Sequence, residues 1–491
     1  MLENIISGFI NLFAWNNFLF INIGLAVGII FGALPGLSAT MGVALFMPLT
    51  FGMDPITGIL MLLGIYCGGT YGGSITAILI NTPGTPASAA TVLDGYTMAK
   101  NGHAGKALQM ALIASTIAGV FSALILLFIA PQVASMALKF GPPEYFALAI
   151  FGLSIISSVC SDSVFKGIIM GILGMFISMI GMDPIGGMPR LTFDYDYLAA
   201  GINLIPALIG LFAISEILNK VRILDHKVEH TEDFMHEKVS LKEVVLHLKT
   251  ILKSSAIGTF IGAIPGTGAA IASFLSYNEA KRVSKTPEKF GTGHLDGVAA
   301  SEAGNNGVTG ATLIPLLTLG VPGDTVTAIL LGALMMQGLT PGPDLFKTHG
   351  IVVYTIMIGL IFVNIFMYLQ ASYFIKGFVR ITKVPVNFLI PILIILCVTG
   401  AYAANNTLFD VKMILIFGAL GYLMTRFDFP VTPMLLAIIL GPMAEVSMRQ
   451  SMILSEGSYA IFFTRPISLI FLILAVLSVI FSSITRSKRI A

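Results

Sequence analysis

The chain has 491 residues, of which 56% are hydrophobic and 11% charged, and its mean hydropathy is +0.91. Soluble domains carry about 25% charged residues, so a water-soluble fold hiding this much apolar surface is excluded. The formal net charge of +2 is too small to point to nucleic acid or any strongly charged macromolecular partner.

The first apolar segment, Ile5 to Phe31, has neither a basic leader nor a clear small-residue cleavage site, and reads as retained structure. It runs into Gly28-Ile-Ile-Phe-Gly32-Ala-Leu-Pro35-Gly36, which opens a stretch rich in Gly, Ser and Thr. A second Pro-Gly follows in Asn81-Thr82-Pro83-Gly84-Thr85. The runs Ala111 to Ala130, Ala147 to Ile180 and Ile467 to Phe481 are nearly uncharged, and about 20 such residues cross the hydrocarbon layer as a helix. The alternating pattern of a membrane barrel is missing, so the spanning elements are expected to be helices. The expectation is an all-α polytopic membrane protein with roughly 10 to 13 spanning or re-entrant helices. Cys67, Cys160 and Cys397 lie in separate apolar segments without metal-ligand or redox spacing and read as packing residues.

Asn219 to Lys253 mixes basic and acidic residues densely and must lie outside the bilayer. Its Lys and Arg content assigns it to the cytoplasm, with Arg486, Lys488 and Arg489 on the same side and the N-terminus on the periplasmic side. Within it, Ser240 to Leu252 has the period of an amphipathic helix. The chain divides accordingly into an N-terminal transmembrane repeat (1–218), a linker (219–254) and a C-terminal repeat with terminal helices (255–491). The halves resemble each other: Gly258-Thr-Phe-Ile-Gly262-Ala-Ile-Pro265-Gly266 repeats the first motif, and Leu319-Gly320-Val321-Pro322-Gly323-Asp324 the second. Entry of one half from the periplasm and of the other from the cytoplasmic linker implies inverted repeats.

Pro removes a backbone donor and disfavours helix before it, while Gly beside it admits otherwise strained dihedrals. Any one Pro-Gly reads equally well as a kink with close helix contact. Two matched pairs point instead to broken helices around a polar interior, because amide groups freed in hydrocarbon need partners. Helix N-termini there suit an anion, and freed carbonyls a small cation. Asn81, Thr82, Gly84 and Thr85, facing Asn305, Asn306, Gly323 and Asp324, are the candidate substrate ligands. Neutral amides orient a carboxylate without repulsion. Gly36, Ser38, Thr40, Gly266, Thr267 and Gly268 are the candidate cation ligands. Glu302 and Asp324 each read equally as functional carboxylates at membrane depth or as interfacial or structural ion-pair residues. Asp94, Lys100, His103 and Lys106, like Lys281, Arg282, Lys285 and Lys289, read as solvated loop charges, and Glu445 with Arg449 as an i,i+4 ion pair. No nucleophile motif, metal-ligand helix or phosphate loop occurs, which points away from an enzyme.

The runs Gly32-Ala-Leu-Pro-Gly36, Gly68-Gly-Thr-Tyr-Gly-Gly-Ser74, Asn81-Thr-Pro-Gly-Thr85 and Asp94-Gly-Tyr96 resemble the large membrane subunit of tripartite tricarboxylate transporters, the TctA type. So do Glu302-Ala-Gly-Asn-Asn306, Leu319-Gly-Val-Pro-Gly323, Gly338-Leu-Thr-Pro-Gly-Pro343 and Leu440-Gly-Pro442 with Glu445, Arg449, Arg465 and Pro466. The resemblance implies a permease of the bacterial inner membrane working with a small membrane subunit (TctB type) and a periplasmic solute-binding protein (TctC type). It implies uptake of a di- or tricarboxylate such as citrate, with sodium (or a proton) as coupling ion and no cofactor. Asp324 departs from the small or hydroxyl residue expected after Pro322-Gly323. The alternatives are a passive anion channel and an intramembrane enzyme.

Overall fold

Helices in this chain stop where the sequence punctuates them. The computed structural model describes residues 2–34, 37–159, 164–221, 238–381 and 386–490. Much of the charged linker (222–237), Pro35, Gly36 and Cys160 lie outside the described residues. The chain opens with α1 (Leu2–Leu12) and α2 (Trp15–Ala33), so the first apolar segment is two helices rather than one. Asn17 Nδ2 reaches back to Asn11 O (2.8 Å) across the break. Then come α3 (Ala39–Phe46), α4 (Pro55–Ile80), α5 (Ala89–Lys100), α6 (Ala104–Ala137), α7 (Pro142–Val159) and α8 (Val164–Ser178). A small antiparallel hairpin follows, β1 (Gly181–Met182) and β2 (Pro189–Arg190). After it come the short α9 (Asp196–Ala199), α10 (Leu204–Leu208) and α11 (Ser215–Val221).

Beyond the linker, α12 (Leu241–Gly262) begins at a capping box between Ser240 and Glu243. The amphipathic stretch expected at Ser240 to Leu252 is its first half, but the helix runs unbroken to Gly262 and is long and apolar enough as a whole to cross a bilayer, so it does not stand apart as linker. Then follow α13 (Gly268–Val283), α14 (Leu295–Ala311), α15 (Leu313–Leu319), α16 (Thr325–Met336), α17 (Leu345–Thr348) and α18 (Gly350–Ile381). The last are α19 (Val386–Asn405), α20 (Leu408–Arg426), α21 (Val431–Leu454), α22 (Ile461–Thr464) and α23 (Pro466–Ile490). Pro315 lacks the N–H that would reach Ala311 O, which accounts for the break between α14 and α15. Among the described residues, seven helices are long and apolar enough to cross a bilayer, and six shorter apolar helices accompany them. With many large aliphatic and aromatic side chains exposed, such as Phe9, Trp15, Phe128, Phe176 and Phe374, this is an all-α polytopic membrane protein.

The described chain groups into two compact units. The first comprises 1–134, 216–264 and 268–400; the second comprises 135–215, 265–267 and 401–491. Unit one is built round α4, whose residues from Thr57 to Leu79 are all buried, as a helix apolar on every face should be. Within it, α2 lies along α4, α12 along α14, and α18 against α1, α2 and α4. Unit two packs α7 and α8 against α21, and α20 against α10 and the π-helical turn Ile209–Ile214. Met170, Ala207, Leu211, Phe417, Met424, Met434 and Ile438 form its core.

Candidate functional site

The repeated glycines turn out to be helix crossings. In the first half, a Cβ on Gly28 would stand 2.4 Å from Ile65 O, and one on Gly32 2.2 Å from Gly69 O, so α2 and α4 touch backbone to backbone. In the second half, a Cβ on Gly258 would stand 2.3 Å from Gly304 O, and one on Gly262 2.9 Å from Val308 Cα, so α12 and α14 meet the same way. Small residues are what permit such approach. The first helix of each pair repeats at an offset of 230 residues (28 to 258, 32 to 262, 35 to 265). The second repeats at 239 (65 to 304, 69 to 308), as does the following Pro-Gly (83 to 322). Backbone contacts and sequence motifs thus agree on one repeat with nine extra residues in its second copy.

Each of the four repeat-related Pro-Gly pairs falls in sequence between two helices: α2 and α3, α4 and α5, α12 and α13, and α15 and α16. The second interruption is built alike in both halves. Asn81 (φ 55°) ends α4 and Gly320 (φ 69°) ends α15 in the left-handed conformation, which Gly and Asn tolerate best. Four residues on, Thr85 and Asp324 stand in extended conformation before the next helical turn, partnered three residues later by Ser88 and Thr327. Ser88 Oγ accepts from Thr85 N (3.4 Å), and Thr327 Oγ1 accepts from Asp324 N (2.8 Å). Asp324 therefore occupies the position of Thr85. Its Oδ1 accepts from Thr327 N (2.8 Å) and its Oδ2 from Tyr66 Oη on α4 (2.7 Å). The helical turns after these breaks pack across the repeat: Pro86–Ser88 and α5 contact α13 and α14, while α16 contacts α3 and α4.

Between α4, α5, α6 and α14 lies a buried polar cluster. Glu302 is wholly buried, with Thr91 Oγ1 donating to its Oε1 and Ser115 Oγ to its Oε2 (3.1 Å). Asn306 Nδ2 donates to Ser115 Oγ (2.8 Å) and to Glu302 O (3.2 Å). The Ser74 hydroxyl also lies close to Glu302, and Tyr71 is within range of its charge. Among the described residues several buried polar atoms here have no well-formed hydrogen bond: both ends of the Asn305 amide, Asn306 Oδ1, Tyr71 Oη and, though it lies close to Glu302, Ser74 Oγ. Thr85 Oγ1 is in the same condition. Buried polar groups are almost always bonded, so such a concentration makes this cluster the candidate binding region of unit one.

The sequence-predicted ligands fall into distinct settings. Asn81 and Thr82 are exposed at the end of α4, and Thr82 Oγ1 donates to Ile80 O (3.3 Å). Gly84 is buried, with Gly84 N donating to Gly73 O (3.2 Å), and Gly323 is buried against Thr312. Asn305 and Asn306 lie in the middle of α14. Among the described residues no hydrogen bond joins Asn81, Thr82 or Thr85 to Asn305, Asn306 or Asp324; α4 connects the two sets. Of the cation candidates, Gly36 lies outside the described residues, Ser38 caps α3 by accepting from Met41 N (3.2 Å), and Thr40 is in its first turn. Gly266 (φ 80°) and Gly268 (φ 72°) flank Thr267 in the turn before α13. Ser38, Thr40 and Gly268 belong to unit one, Gly266 and Thr267 to unit two.

The expected loop charges need correction. Asp94 lies within α5 and is wholly buried. Its Oδ1 accepts from Gly291 N (2.9 Å), Gly293 N (2.8 Å) and His294 N (2.7 Å), and its Oδ2 from Tyr277 Oη (2.8 Å). Lys106 pairs with Glu243, and Arg282 and Lys253 both pair with Glu279. Glu445 and Arg449 do pair (3.3 Å), but their shorter contacts run to the hairpin: Arg190 holds Glu445 through both nitrogens (2.5 and 3.1 Å), and Arg449 holds Asp183 (2.6 Å). Cys67 and Cys397 are buried free thiols, as packing residues would be.

This architecture has known sequence relatives. An Agrobacterium vitis protein described as an uncharacterized 52.8 kDa protein in the TAR-I ttuC' 3' region is 36% identical over 491 residues, covering 100% of this chain and 98% of the relative. A second from the same organism, an uncharacterized protein in the TAR-II ttuC' 3' region, is 37% identical over 234 residues, covering 47% of this chain and 97% of that one. No solved structure matches. Residues 18–436, which include every interrupted helix described above, match the tripartite tricarboxylate transporter TctA family, and the chain belongs to that family of membrane transporter components.

Proposed function

We propose that this chain is the permease subunit of a tripartite secondary transporter in the bacterial inner membrane, taking up a citrate-like di- or tricarboxylate from the periplasm. A periplasmic binding protein delivers the substrate, a small membrane subunit completes the permease, and a sodium or proton gradient drives entry. The observation that carries the reading is the pair of equivalent interruptions 239 residues apart (83 to 322), each followed by a turn that packs on the other half. Repeat-related broken helices are how secondary transporters build a substrate site. In this reading the halves are inverted in the membrane. Asn81, Thr82, Gly84 and Thr85 of one half and Asn305, Asn306, Gly323 and Asp324 of the other serve the carboxylate. Asp324 acts through Tyr66, because its own oxygens are already engaged. Gly36, Ser38 and Thr40, and separately Gly266, Thr267 and Gly268, are the residues this reading assigns to cation binding through carbonyl and hydroxyl oxygens.

The test is uptake of labelled citrate into proteoliposomes containing both membrane subunits, with the binding protein outside. Uptake should collapse when an ionophore dissipates the cation gradient; persistence would indicate a passive pore. The double variant Asn81→Ala, Asn305→Ala should lose transport, and unchanged uptake would remove those ligand assignments.

A further inference from the structure

Glu302 is a wholly buried carboxylate, and no ion pair among the described residues involves it. Two hydroxyls, of Thr91 and Ser115, donate to its two oxygens. Leaving a full negative charge in this interior on two neutral hydrogen bonds is costly, so a positive partner is called for. The surroundings say which kind. Ser74 Oγ lies close to the carboxylate without a well-formed hydrogen bond, Tyr71 lies within range of its charge, and among the described residues Tyr71 Oη and Asn306 Oδ1, the latter one turn along the helix, have no hydrogen-bond partner. A proton on Glu302 would supply one donor and satisfy one of these acceptors; a metal cation draws on several oxygens together. The set is all oxygen, which suits a hard ion. It contains one carboxylate, which balances one positive charge, whereas a divalent ion would leave net charge in the apolar interior.

We propose that Glu302, with the hydroxyl and amide oxygens of Ser74, Thr91, Ser115 and Asn306, forms a seat for a monovalent cation of the sodium type. This seat is separate from the turns at Ser38 and Gly268. It deepens the uptake reading by setting the ion one helical turn from the unpartnered amide of Asn305, where it would offset the charge of a carboxylate held there. Its test needs neither substrate nor partner subunits.

The full chain, purified in detergent at mildly alkaline pH, is melted while sodium chloride replaces choline chloride at constant ionic strength. A ligand that binds only the folded state raises Tm with its concentration, so the expected result is a rise specific to sodium that Glu302→Gln abolishes. Ser115→Ala keeps the carboxylate but removes one donor to it, and should shift the sodium midpoint upward by about 10- to 100-fold, the usual effect of disturbing a metal ligand's partner. Should Glu302→Gln fail to fold, the Ser115→Ala midpoint decides: an unshifted midpoint overturns the proposal. So does a sodium effect retained in Glu302→Gln, or a wild-type Tm indifferent to sodium. Sodium binding without carboxylate uptake in the reconstituted system would defeat the transport reading and leave the seat standing. Sodium-driven uptake by a chain whose stability ignores sodium would do the reverse.

Discussion

Asp94 is the residue whose behaviour departs furthest from its sequence neighbourhood. Beside Lys100 and His103 it has the look of a solvated charge, yet it collects three backbone N–H groups and a tyrosine hydroxyl. Asp94→Ala should cost about 3 kcal/mol, since it strands donors that were bonded to a charged group, and Tyr277→Phe about 1 kcal/mol. Thermal unfolding of the two variants checks the ranking. Nothing near Asp94 in sequence could have shown this, because three of its four partners are main-chain N–H groups about 200 residues away that almost any residue would carry equally. Asn305 and Asn306, by contrast, stand out in the sequence as two amides in a row just before a long apolar run, and both are buried in α14. Asp183 gives a pH prediction at the same scale. The hydrogen bond from Arg449 lowers its carboxyl to about 2 from the ordinary 3.8. Because the folded value is the lower, its contribution to stability is complete above about pH 4 and fades as pH falls toward 2. Tm measured across that window should fall more steeply in the wild type than in Arg449→Ala.

At the scale of elements, the crossings of α2 with α4 and of α12 with α14 depend on missing side chains. Gly28→Ala and Gly258→Ala would each drive a Cβ against a carbonyl oxygen that belongs to a helix backbone and cannot swing aside. Each should destabilise by about 1–3 kcal/mol. Gly171→Ala in α8, where a Cβ meets nothing within 4 Å, should be neutral or stabilising by up to about 1 kcal/mol. Melting the three variants side by side separates loss of contact geometry from a general intolerance of alanine. The helix interruptions were readable from sequence because Pro and Gly act through their own backbone. The pairing of Arg190 with Glu445 was not, because it depends on where a two-residue hairpin returns; the i,i+4 rule correctly found Glu445 and Arg449 but missed the stronger partner of each.

For the whole molecule, composition alone decided the solvent, and repetition decided the plan. What neither conveyed is how thoroughly the two repeats are interleaved within unit one, which draws residues from both sides of the charged linker. Such interleaving is built from contacts between side chains and backbone distant in sequence, and hydropathy carries no trace of them. A chain divided within the linker should therefore be inactive as either piece, and should recover uptake in proteoliposomes when the pieces are produced together. The clamp on residues 291–294 makes this a question of timing as well. As the polypeptide leaves the ribosome, Asp94 and Glu302's hydroxyl partners Thr91 and Ser115 are made about 200 residues before what they bind, so the early half should carry unsatisfied polar groups until the late half has been translated.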